Sequence, residues 1–428
     1  MVETFGCQQN VNDSQRIEGM LMEMGYTLTE KRGQADVIIF NTCAIRENAH
    51  AKVFGNLGAL KHLKAQKPSL IIGVCGCMAQ QEHVAKRLKS KYKHVDLVFG
   101  THVLWRFPEF LADVLEHRER LIDISGEGVI AEGLPVNYDG GAKAFVSVMY
   151  GCNNVGSYCI VPYVRGRERS RRKDDVLAEI SALAKDGVKE VMLLGQNVNS
   201  YGKDFGEADA FAKLLSDVCR IDGIERIRFM SSHPKDISDK LLETMAREEK
   251  ICNQLHLPLQ SGSDKVLSEM RRGHTIEQYM EILSKFRNEI PDLTLAVDII
   301  VGYPTETDDD FDLTVKFLET AKPSLIHLSK YQHRKGAISS SLPEIPHEIM
   351  KRRSKFLSEI KSKITEEENK ELVNSYQNVL VIEKGSKGGF IGKTDSYIPV
   401  IVDDAELGTF VRVKITEATA TYLKSDLA

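Results

Sequence analysis

Residues 70–77 have the sequence LIIGVCGC, a short apolar run that ends in two cysteines. Similar runs occur upstream, VETFGC at 2–7 and VIIFNTC at 37–43. Runs rich in Val and Ile are typical of β-strands, and the amphipathic stretches between them indicate helices. The helices are predicted at about 13–24, 47–64 and 81–90, and a fourth strand at 95–99. This alternation predicts βαβ units around a parallel sheet.

The three runs place cysteines at their carboxyl ends, which meet at one edge of a parallel sheet, where open α/β sheets bind ligands. Cys7, Cys43 and either Cys75 or Cys77 are therefore expected to converge. Thiolates with one open coordination position suit an iron-sulfur cluster at least as well as zinc. Cysteine is also common as a small buried apolar residue. Strand alternation points Cys75 and Cys77 to the same side, so it does not choose between them.

Two more regions follow a glycine-rich linker at about 126–141. From 144 to about 331, alternating strands and helices predict a partial barrel of six βα units, with its chemistry at the carboxyl ends of the strands. The strands are predicted near 144–150, 189–194, 226–231, 253–257, 294–301 and 325–330. A charged helix at about 347–373 precedes short strands typical of a small all-β barrel, predicted at 379–382, 398–402 and 410–415. The expected fold class is α/β, with domains at 1–125, 142–370 and 372–428.

The composition is that of an ordinary globular protein. The 428 residues carry a net charge of −4, which excludes a uniformly basic nucleic-acid coat but not a local basic patch. Eight cysteines are too few for a disulfide scaffold in a chain of this length. The chain contains neither an apolar stretch of about 18 residues nor an N-terminal signal pattern, so we expect a soluble cytoplasmic protein without a membrane partner.

Several longer segments resemble the radical S-adenosylmethionine methylthiotransferases, in the same order and over essentially the whole chain. These segments are TFGCQQN, NTCAIREN, GVCGCMAQ, GCNNVGSYCIVPYVRGRERSR, LLGQNVNSYG, SSHPKD, HLPLQSGSD and DIIVGYP. From about residue 372 to the end, the chain resembles the TRAM RNA-binding domain. That region carries six basic and seven acidic residues from 373 onward, so RNA binding by it follows from the resemblance rather than from charge.

The resemblance implies two 4Fe-4S clusters. In the family, three cysteines of the first domain hold one cluster, and they correspond here to Cys7, Cys43 and Cys77. The second cluster is held by a Cys-x3-Cys-x2-Cys loop and leaves one iron open for S-adenosylmethionine. Cys152 and Cys159 match the first and third positions of that loop.

The second position of this loop is Gly156, which has no side chain with which to bind iron. Loss of even indirect support commonly costs a metal site about 10–100-fold in affinity or activity. Three explanations are open: an inactivated variant, a homologue with altered chemistry, or a substitute ligand from elsewhere. Cys219 and Cys252 lie in patterns that indicate core positions, and every neighbouring motif is intact. A recent or engineered loss is therefore the preferred explanation.

The resemblance also implies a radical mechanism. The carbon-2 hydrogen of adenine is not acidic enough for a side-chain base, and the family generates a 5′-deoxyadenosyl radical at the second cluster while the first supplies sulfur. No catalytic residue is assigned beyond the cluster ligands. The expected contacts to S-adenosylmethionine are an aromatic residue and several strand-end residues, each of which could equally be structural. They are Tyr158, Gly195, Gln196, Asn197, Ser232, Gln260, Arg271 and Gly302.

A basic segment favours RNA as the substrate. Residues 165–173 contain six basic residues and one acidic residue. Beside a catalytic loop such a run is expected to bind phosphates, although charge runs are commonly only solvated faces. The expected RNA contacts are Arg165, Arg167, Arg169, Arg171 and Arg334. His327, His333 and Arg334 could contact an extruded base or be an exposed strand end.

The expected function is methylthiolation of carbon 2 of an isopentenylated adenosine next to the anticodon of tRNA. The alternatives are methylthiolation of threonylcarbamoyladenosine in tRNA, modification of a ribosomal protein, and a non-catalytic tRNA-binding iron-sulfur protein, the last motivated by Gly156. The expected partners are tRNA, S-adenosylmethionine, an electron donor and a sulfur source, and the chain is expected to be a monomer.

Overall fold

The first five strands form one parallel sheet in the order β1-β2-β3-β4-β5 in the computed structural model. The structure describes residues 1–45, 47–126, 128–138, 140–386 and 388–428. The strands are β1 (Val2–Phe5), β2 (Val37–Thr42), β3 (Ile71–Cys75), β4 (Leu97–Phe99) and β5 (Leu121–Asp123). The helices are α1 (Gln8–Glu23), α2 (Glu47–Gln66), α3 (Glu82–Lys91) and α4 (Phe107–His117). Strands β2, β3 and β4 are buried throughout, because apolar clusters form on both faces of the sheet.

Two elements of this N-terminal region differ from the prediction, the first helix and the fifth strand. Helix α1 begins at Gln8 rather than near 13, because the Asn10 side chain accepts a hydrogen bond from the Cys7 backbone N–H at 3.3 Å and closes the first turn. The fifth strand was not predicted, because three half-buried residues carry too little pattern.

The chain divides into two compact units, and the first contains more than the sheet. It comprises Met1–Asp139 together with Met149–Asn153 and Ile160–Arg171. In these added segments, β7 (Met149–Tyr150) pairs antiparallel with β8 (Arg169–Ser170), and α5 spans Val161–Arg165. Most of the arginine-rich segment therefore packs with the N-terminal sheet.

The second unit contains the six strands of a partial barrel. Two three-stranded parallel sheets, β10-β9-β6 and β11-β12-β13, are connected by a parallel bridge between Ile227 and Ile251. The strands are β6 (Lys143–Ser147), β9 (Glu190–Leu194), β10 (Arg226–Phe229), β11 (Gln254–His256), β12 (Thr294–Val301) and β13 (Leu325–Lys330). The helices are α6 (Lys173–Lys185), α7 (Ala210–Cys219), α8 (Asp239–Arg247), α9 (Asp264–Glu269), α10 (Ile276–Glu289) and α11 (Asp308–Ala321). All six strands lie where the sequence predicts them.

Helix α12 (His347–Glu371) leads to a closed five-stranded barrel in the order β14-β15-β16-β18-β17. Its strands are β14 (Tyr376–Lys384), β15 (Phe390–Lys393), β16 (Pro399–Val402), β17 (Phe410–Ala418) and β18 (Leu423–Leu427). The sequence predicted three of these five. Strands β15 and β18 are short and contain lysines, so they lack a strong apolar alternation.

Two buried arginines near the amino end of β10 form hydrogen bonds with the closed barrel. Arg226 donates to the carbonyl oxygens of Lys393 at 3.0 Å and Asn378 at 3.2 Å. Arg228 donates to the Thr394 carbonyl at 2.6 Å and to the Glu190 carboxylate at 3.1 Å. The closed barrel thus lies at the end of the partial barrel opposite the carboxyl ends of its strands.

Within the described residues, no helix combines the length and the apolar character that crossing a membrane requires.

Candidate iron-sulfur sites

Cys7, Cys43 and Cys77 lie at the carboxyl edge of the N-terminal sheet. The Cys43 backbone N–H donates to the Phe5 carbonyl at 2.9 Å, which places the end of β2 beside the end of β1. The Met78 N–H donates to the Thr42 carbonyl at 3.1 Å, which places the turn after β3 beside the end of β2. Burial raises the pKa of the Cys77 thiol to about 12, and Cys43 and Cys7 are close enough to contribute to that rise. The three thiols therefore converge.

The turn after β3 separates Cys75 from Cys77. Cys75 ends the strand fully buried among core residues. Gly76 has a φ of +89°, and a Cβ there would lie 2.4 Å from Asn41 Oδ1. This left-handed turn ends the strand alternation, so Cys77 is presented at the edge while Cys75 stays in the core. Strand alternation alone did not choose between Cys75 and Cys77. The glycine between them is the sequence feature that could have indicated the turn.

A buried arginine contacts the Cys77 sulfur. Arg165 Nε lies 3.1 Å from Cys77 Sγ, and the same guanidinium donates to Asp13 Oδ2 at 2.7 Å. Both charged side chains are only 6% exposed. Three thiols from three strand ends, with a cation against one of them, fit an iron-sulfur cluster that takes three protein ligands.

The second cysteine loop presents a smaller donor set. In the first unit, the Cys152 N–H donates to the Gly166 carbonyl at 3.1 Å. In the second unit, the Cys159 N–H donates to the Gly156 carbonyl at 3.0 Å, which makes a turn at the position where the resemblance expects the second cysteine. Two thiols and a glycine do not fit a cluster that takes three thiolates from this loop.

The backbone at Gly156 does not require glycine. Its φ lies outside the left-handed region, and a Cβ there would have ordinary contacts, 3.4 Å to Tyr158 Cε1 and 3.6 Å to Cys159 Cβ. By contrast, Gly151 has a φ of +78°, and a Cβ there would lie 2.0 Å from the Arg167 carbonyl oxygen. A side chain at 156 therefore fits, and it would emerge beside Cys159.

The predicted strand-end residues lie at the carboxyl ends of the partial barrel. Gly195 directly follows β9, and the Asn197 amide donates to Asp236 Oδ2 at 2.7 Å. Ser232 is buried beyond β10. Gln196 is half-buried next to them. Gln260 has a φ of +86° and donates its backbone N–H to the Asp298 carbonyl at 2.9 Å.

Gly302 follows β12 with a φ of +83°, and a Cβ there would lie 2.6 Å from Met350 Cγ. The sequence analysis expects this glycine to contact S-adenosylmethionine. In the structure, the side chain that approaches it belongs to helix α12.

Arg272, rather than its neighbour, lies next to Tyr158. The Arg271 side chain is exposed, whereas Arg272 is buried and donates to the Pro258 carbonyl at 2.6 Å. Burial raises the pKa of Tyr158 to about 12, and a hydrogen bond with Arg272 opposes the rise. No pattern in the sequence distinguishes these two adjacent arginines.

The arginines of 165–171 point in different directions. Arg165 is buried and forms an ion pair with Asp13. Arg171 is also buried, and its Nη2 lies 2.5 Å from Glu132 Oε2. Arg169 is half-buried and donates to the Arg165 carbonyl at 3.1 Å, while Arg167 is exposed. Arg334 is half-buried in the second unit. Of the five expected RNA contacts, Arg167 is the one whose side chain is exposed.

Three polar residues, His256, Asp298 and His327, lie on the neighbouring strands β11, β12 and β13 of the partial barrel. The sequence analysis did not predict that they lie together. His256 Nδ1 accepts the Ser231 N–H at 3.0 Å, so its Nε2 carries the proton donated to Asp298 Oδ1 at 3.2 Å. The His327 ring meets His256 edge-on at 5.6 Å. Burial raises the pKa of Asp298, but the His256 hydrogen bond and nearby cations outweigh it, and the pKa lies below its usual value. The proton at Nε2 favours hydrogen bonding over metal binding by His256.

Three known families match successive parts of the chain. The Uncharacterized protein family UPF0004 matches residues 1–100, the Radical SAM superfamily residues 146–318, and the TRAM domain residues 370–428.

Similar proteins of two bacteria carry the same name. The tRNA-2-methylthio-N(6)-dimethylallyladenosine synthase of Thermoanaerobacter sp. (strain X514) is 45% identical over 436 residues, which cover 100% of this chain and 92% of the relative. The synthase of Acetivibrio thermocellus (strain ATCC 27405) is 45% identical over 432 residues, covering 100% of this chain and 90% of the relative.

A solved structure shares the fold at low identity. The radical S-adenosylmethionine methyltransferase TsrM from Kitasatospora setae, with cobalamin and a [4Fe-4S] cluster bound, superposes with a TM-score of 0.58 and 12% identity, covering 79% of this chain and 76% of TsrM. This likeness concerns the fold alone, and it agrees with the predicted partial barrel.

Proposed function

The chain belongs to the family of the tRNA-2-methylthio-N(6)-dimethylallyladenosine synthases, and from that premise we propose that its reaction is transfer of a methylthio group to carbon 2 of N(6)-dimethylallyladenosine next to the anticodon of tRNA. The observation that carries the proposal is 45% identity to such an enzyme over the full length of the chain. Convergence of Cys7, Cys43 and Cys77 on one sheet edge supports it independently.

Each region of the chain has a part in this reaction. When bound, a 4Fe-4S cluster at the first site would supply the sulfur chemistry. The radical chemistry of the family needs a second cluster, for which the loop of this chain offers one ligand too few. Cys7, Cys43 and Cys77 would hold the first cluster. Residues at the carboxyl ends of the partial barrel would orient S-adenosylmethionine and the base, and the TRAM domain would bind tRNA. The S-adenosylmethionine contacts proposed here are Tyr158, Gly195, Gln196, Asn197, Ser232, Gln260 and Gly302, with Arg272 in place of Arg271.

The tRNA contact proposed for the arginine segment centres on Arg167, because its guanidinium is exposed while Arg165, Arg169 and Arg171 bond within the protein. Arg334 is proposed as a contact from the second unit. A tRNA substrate favours a cytoplasmic location. The reaction also requires an electron donor and a source of sulfur, and we propose that the chain acts as a monomer.

Gly156 limits the activity of this sequence. With Cys152 and Cys159 as its two loop thiolates, the second cluster lacks one protein ligand, so the chain should assemble it poorly. Because a Cβ at 156 has ordinary contacts and lies 3.6 Å from Cys159 Cβ, Gly156→Cys is expected to complete the site without disturbing the fold.

The test is anaerobic reconstitution of the wild type and Gly156→Cys with iron and sulfide. The variant should bind about four more iron atoms per chain and release more 5′-deoxyadenosine from S-adenosylmethionine. Val155→Cys is the matched control. Val155 is exposed, and this substitution adds the same thiol one position away from 156. Equal iron content in Gly156→Cys and Val155→Cys would overturn the assignment of Gly156 as the lost ligand.

Mass spectrometry of the tRNA nucleosides and of the ribosomal protein then tests the substrate. Reconstituted Gly156→Cys is incubated with tRNA carrying dimethylallyladenosine or threonylcarbamoyladenosine, and with ribosomal protein. A methylthio product on the first substrate alone is expected. A product on either of the others would transfer the proposal to that branch of the methylthiotransferases.

A second candidate function is a tRNA-binding iron-sulfur protein without catalysis, which the glycine at 156 specifically favours. It predicts that the wild type binds tRNA and about four iron atoms per chain while releasing no 5′-deoxyadenosine above background. Product formation by the wild type would exclude it.

A further inference from the structure

Arg165 belongs to a segment whose charge suggests RNA binding, yet it lies inside the first unit. It is the last residue of α5, and only 5% of it is exposed. Ile160 and Val164 pack with Ala44 and Cys77 in one apolar cluster, which presses the helix against the thiol edge. The Thr101 hydroxyl adds a hydrogen bond to the Val164 carbonyl. The guanidinium is thereby aimed at the Cys77 sulfur, at 3.1 Å from Nε.

The charge of Arg165 is compensated on its other side. Its second amino group bonds Asp13 Oδ2 at 2.7 Å, and the Gln9 amide holds the other carboxylate oxygen at 3.1 Å. Replacing a buried ion pair by well-packed apolar residues is often neutral or stabilising, because both charges of the pair lose their hydration. Fold stability alone therefore does not explain an arginine at this place.

We propose that Arg165 is a positioning residue of the three-cysteine site, and that its Nε–H···Sγ bond to Cys77 raises the reduction potential of the cluster held there. This inference rests on the iron-sulfur function proposed for Cys7, Cys43 and Cys77. Hydrogen bonds to the sulfur ligands and nearby charge are among the factors that set the potential of such clusters. A cation stabilises the reduced form, because that form carries one more negative charge.

The test uses the full chain with Cys152→Ala and Cys159→Ala, so that only the N-terminal site can hold a cluster. Its potential is measured by redox titration followed by electron paramagnetic resonance. Arg165→Gln removes the charge and is expected to make reduction at least tenfold less favourable, a fall of about 59 mV for a one-electron couple. Arg165→Lys keeps the charge and should give a smaller fall.

Arg167→Gln is the matched control, because it removes the same charge from an exposed position two residues away and should leave the potential unchanged. Arg165→Gln leaves Asp13 buried without its partner and risks misfolding, so Asp13→Asn combined with Arg165→Gln is measured as well. The double variant keeps the site neutral and should show the same direction of shift.

The outcomes separate the two proposals. If the parent chain binds no iron at this site, the proposed cluster function fails. If iron binds and Arg165→Gln and the double variant both have the parent potential, the cluster assignment stands and the inference about Arg165 is overturned.

Discussion

The two cysteine sites differ in how their geometry is fixed. Cys7, Cys43 and Cys77 follow three adjacent parallel strands, so the hydrogen bonds of the sheet hold their spacing before any metal binds. Cys159 and Gly156 lie instead in a turn outside the strands, fixed by a few bonds such as the Ser157 hydroxyl to the Glu269 carbonyl at 2.8 Å. The first site is held by the repeated hydrogen bonds of a sheet, and the second by single hydrogen bonds between its loop and distant parts of the second unit.

This difference explains why the ligand loss proposed at 156 is compatible with an intact fold. Neither the backbone conformation nor the packing at Gly156 depends on a side chain, so a missing cysteine there affects chemistry alone. At the sheet edge, removal of one cysteine would likewise cost a ligand. The glycine beside it, Gly76, could not change without disturbing the turn, because its φ is +89°.

The largest expected effect is on iron content. Cys77→Ala should reduce the iron of the reconstituted wild type from about four atoms per chain to background, because it removes one of three converging ligands. Cys75→Ala should retain the iron, since Cys75 lies in the core. Inductively coupled plasma mass spectrometry measures both.

Cys152→Ala in the wild-type chain sharpens the contrast between the sites. If the loop with Gly156 already fails to hold a cluster, this substitution should leave the iron content unchanged. A loss as large as that of Cys77→Ala would mean that the loop binds iron despite the glycine, and the comparison would fail.

The next effect concerns stability at two glycines of the same loop. Gly151→Ala should destabilise the chain by at least about 2 kcal/mol, since it forces a side chain into the left-handed region and against the Arg167 carbonyl. Gly156→Ala should be neutral or stabilising by up to about 1 kcal/mol, because alanine restricts the unfolded chain. Urea unfolding compares the two, and equal losses would show that position 156 does require glycine.

Most of the fold could be predicted from the sequence because its apolar runs are strong. The six barrel strands lie at their predicted places, and the alternation of apolar and polar segments is sufficient for a parallel sheet. The strands that were not predicted, β5, β8, β15 and β18, are short and mostly half-buried or exposed, so no periodicity marks them.

The sequence predicts that the cysteines share one sheet edge, but it does not predict the directions of the charged side chains near them. The sequence places Arg165 and Arg167 in one basic run, yet the first is buried against a thiol and the second is exposed. The burial of Arg165 depends on Asp13, 152 residues away in sequence. Contacts of that separation leave no local pattern, and the same is true of Arg272 beside Tyr158.

The smallest expected effect is on the salt dependence of tRNA binding, and it distinguishes the exposed Arg167 from the buried arginines of this segment. If Arg167 contacts a phosphate, Arg167→Gln should reduce the slope of the logarithm of tRNA affinity against the logarithm of salt concentration by about 0.7–0.9, the value for one released counterion. Arg220→Gln is the control, because Arg220 is an exposed arginine directly after α7, and it should leave the slope unchanged. Fluorescence anisotropy at several salt concentrations measures it. Equal slopes for the wild type and Arg167→Gln would show that the exposed arginine does not bind RNA, and the segment would then serve the thiol site alone.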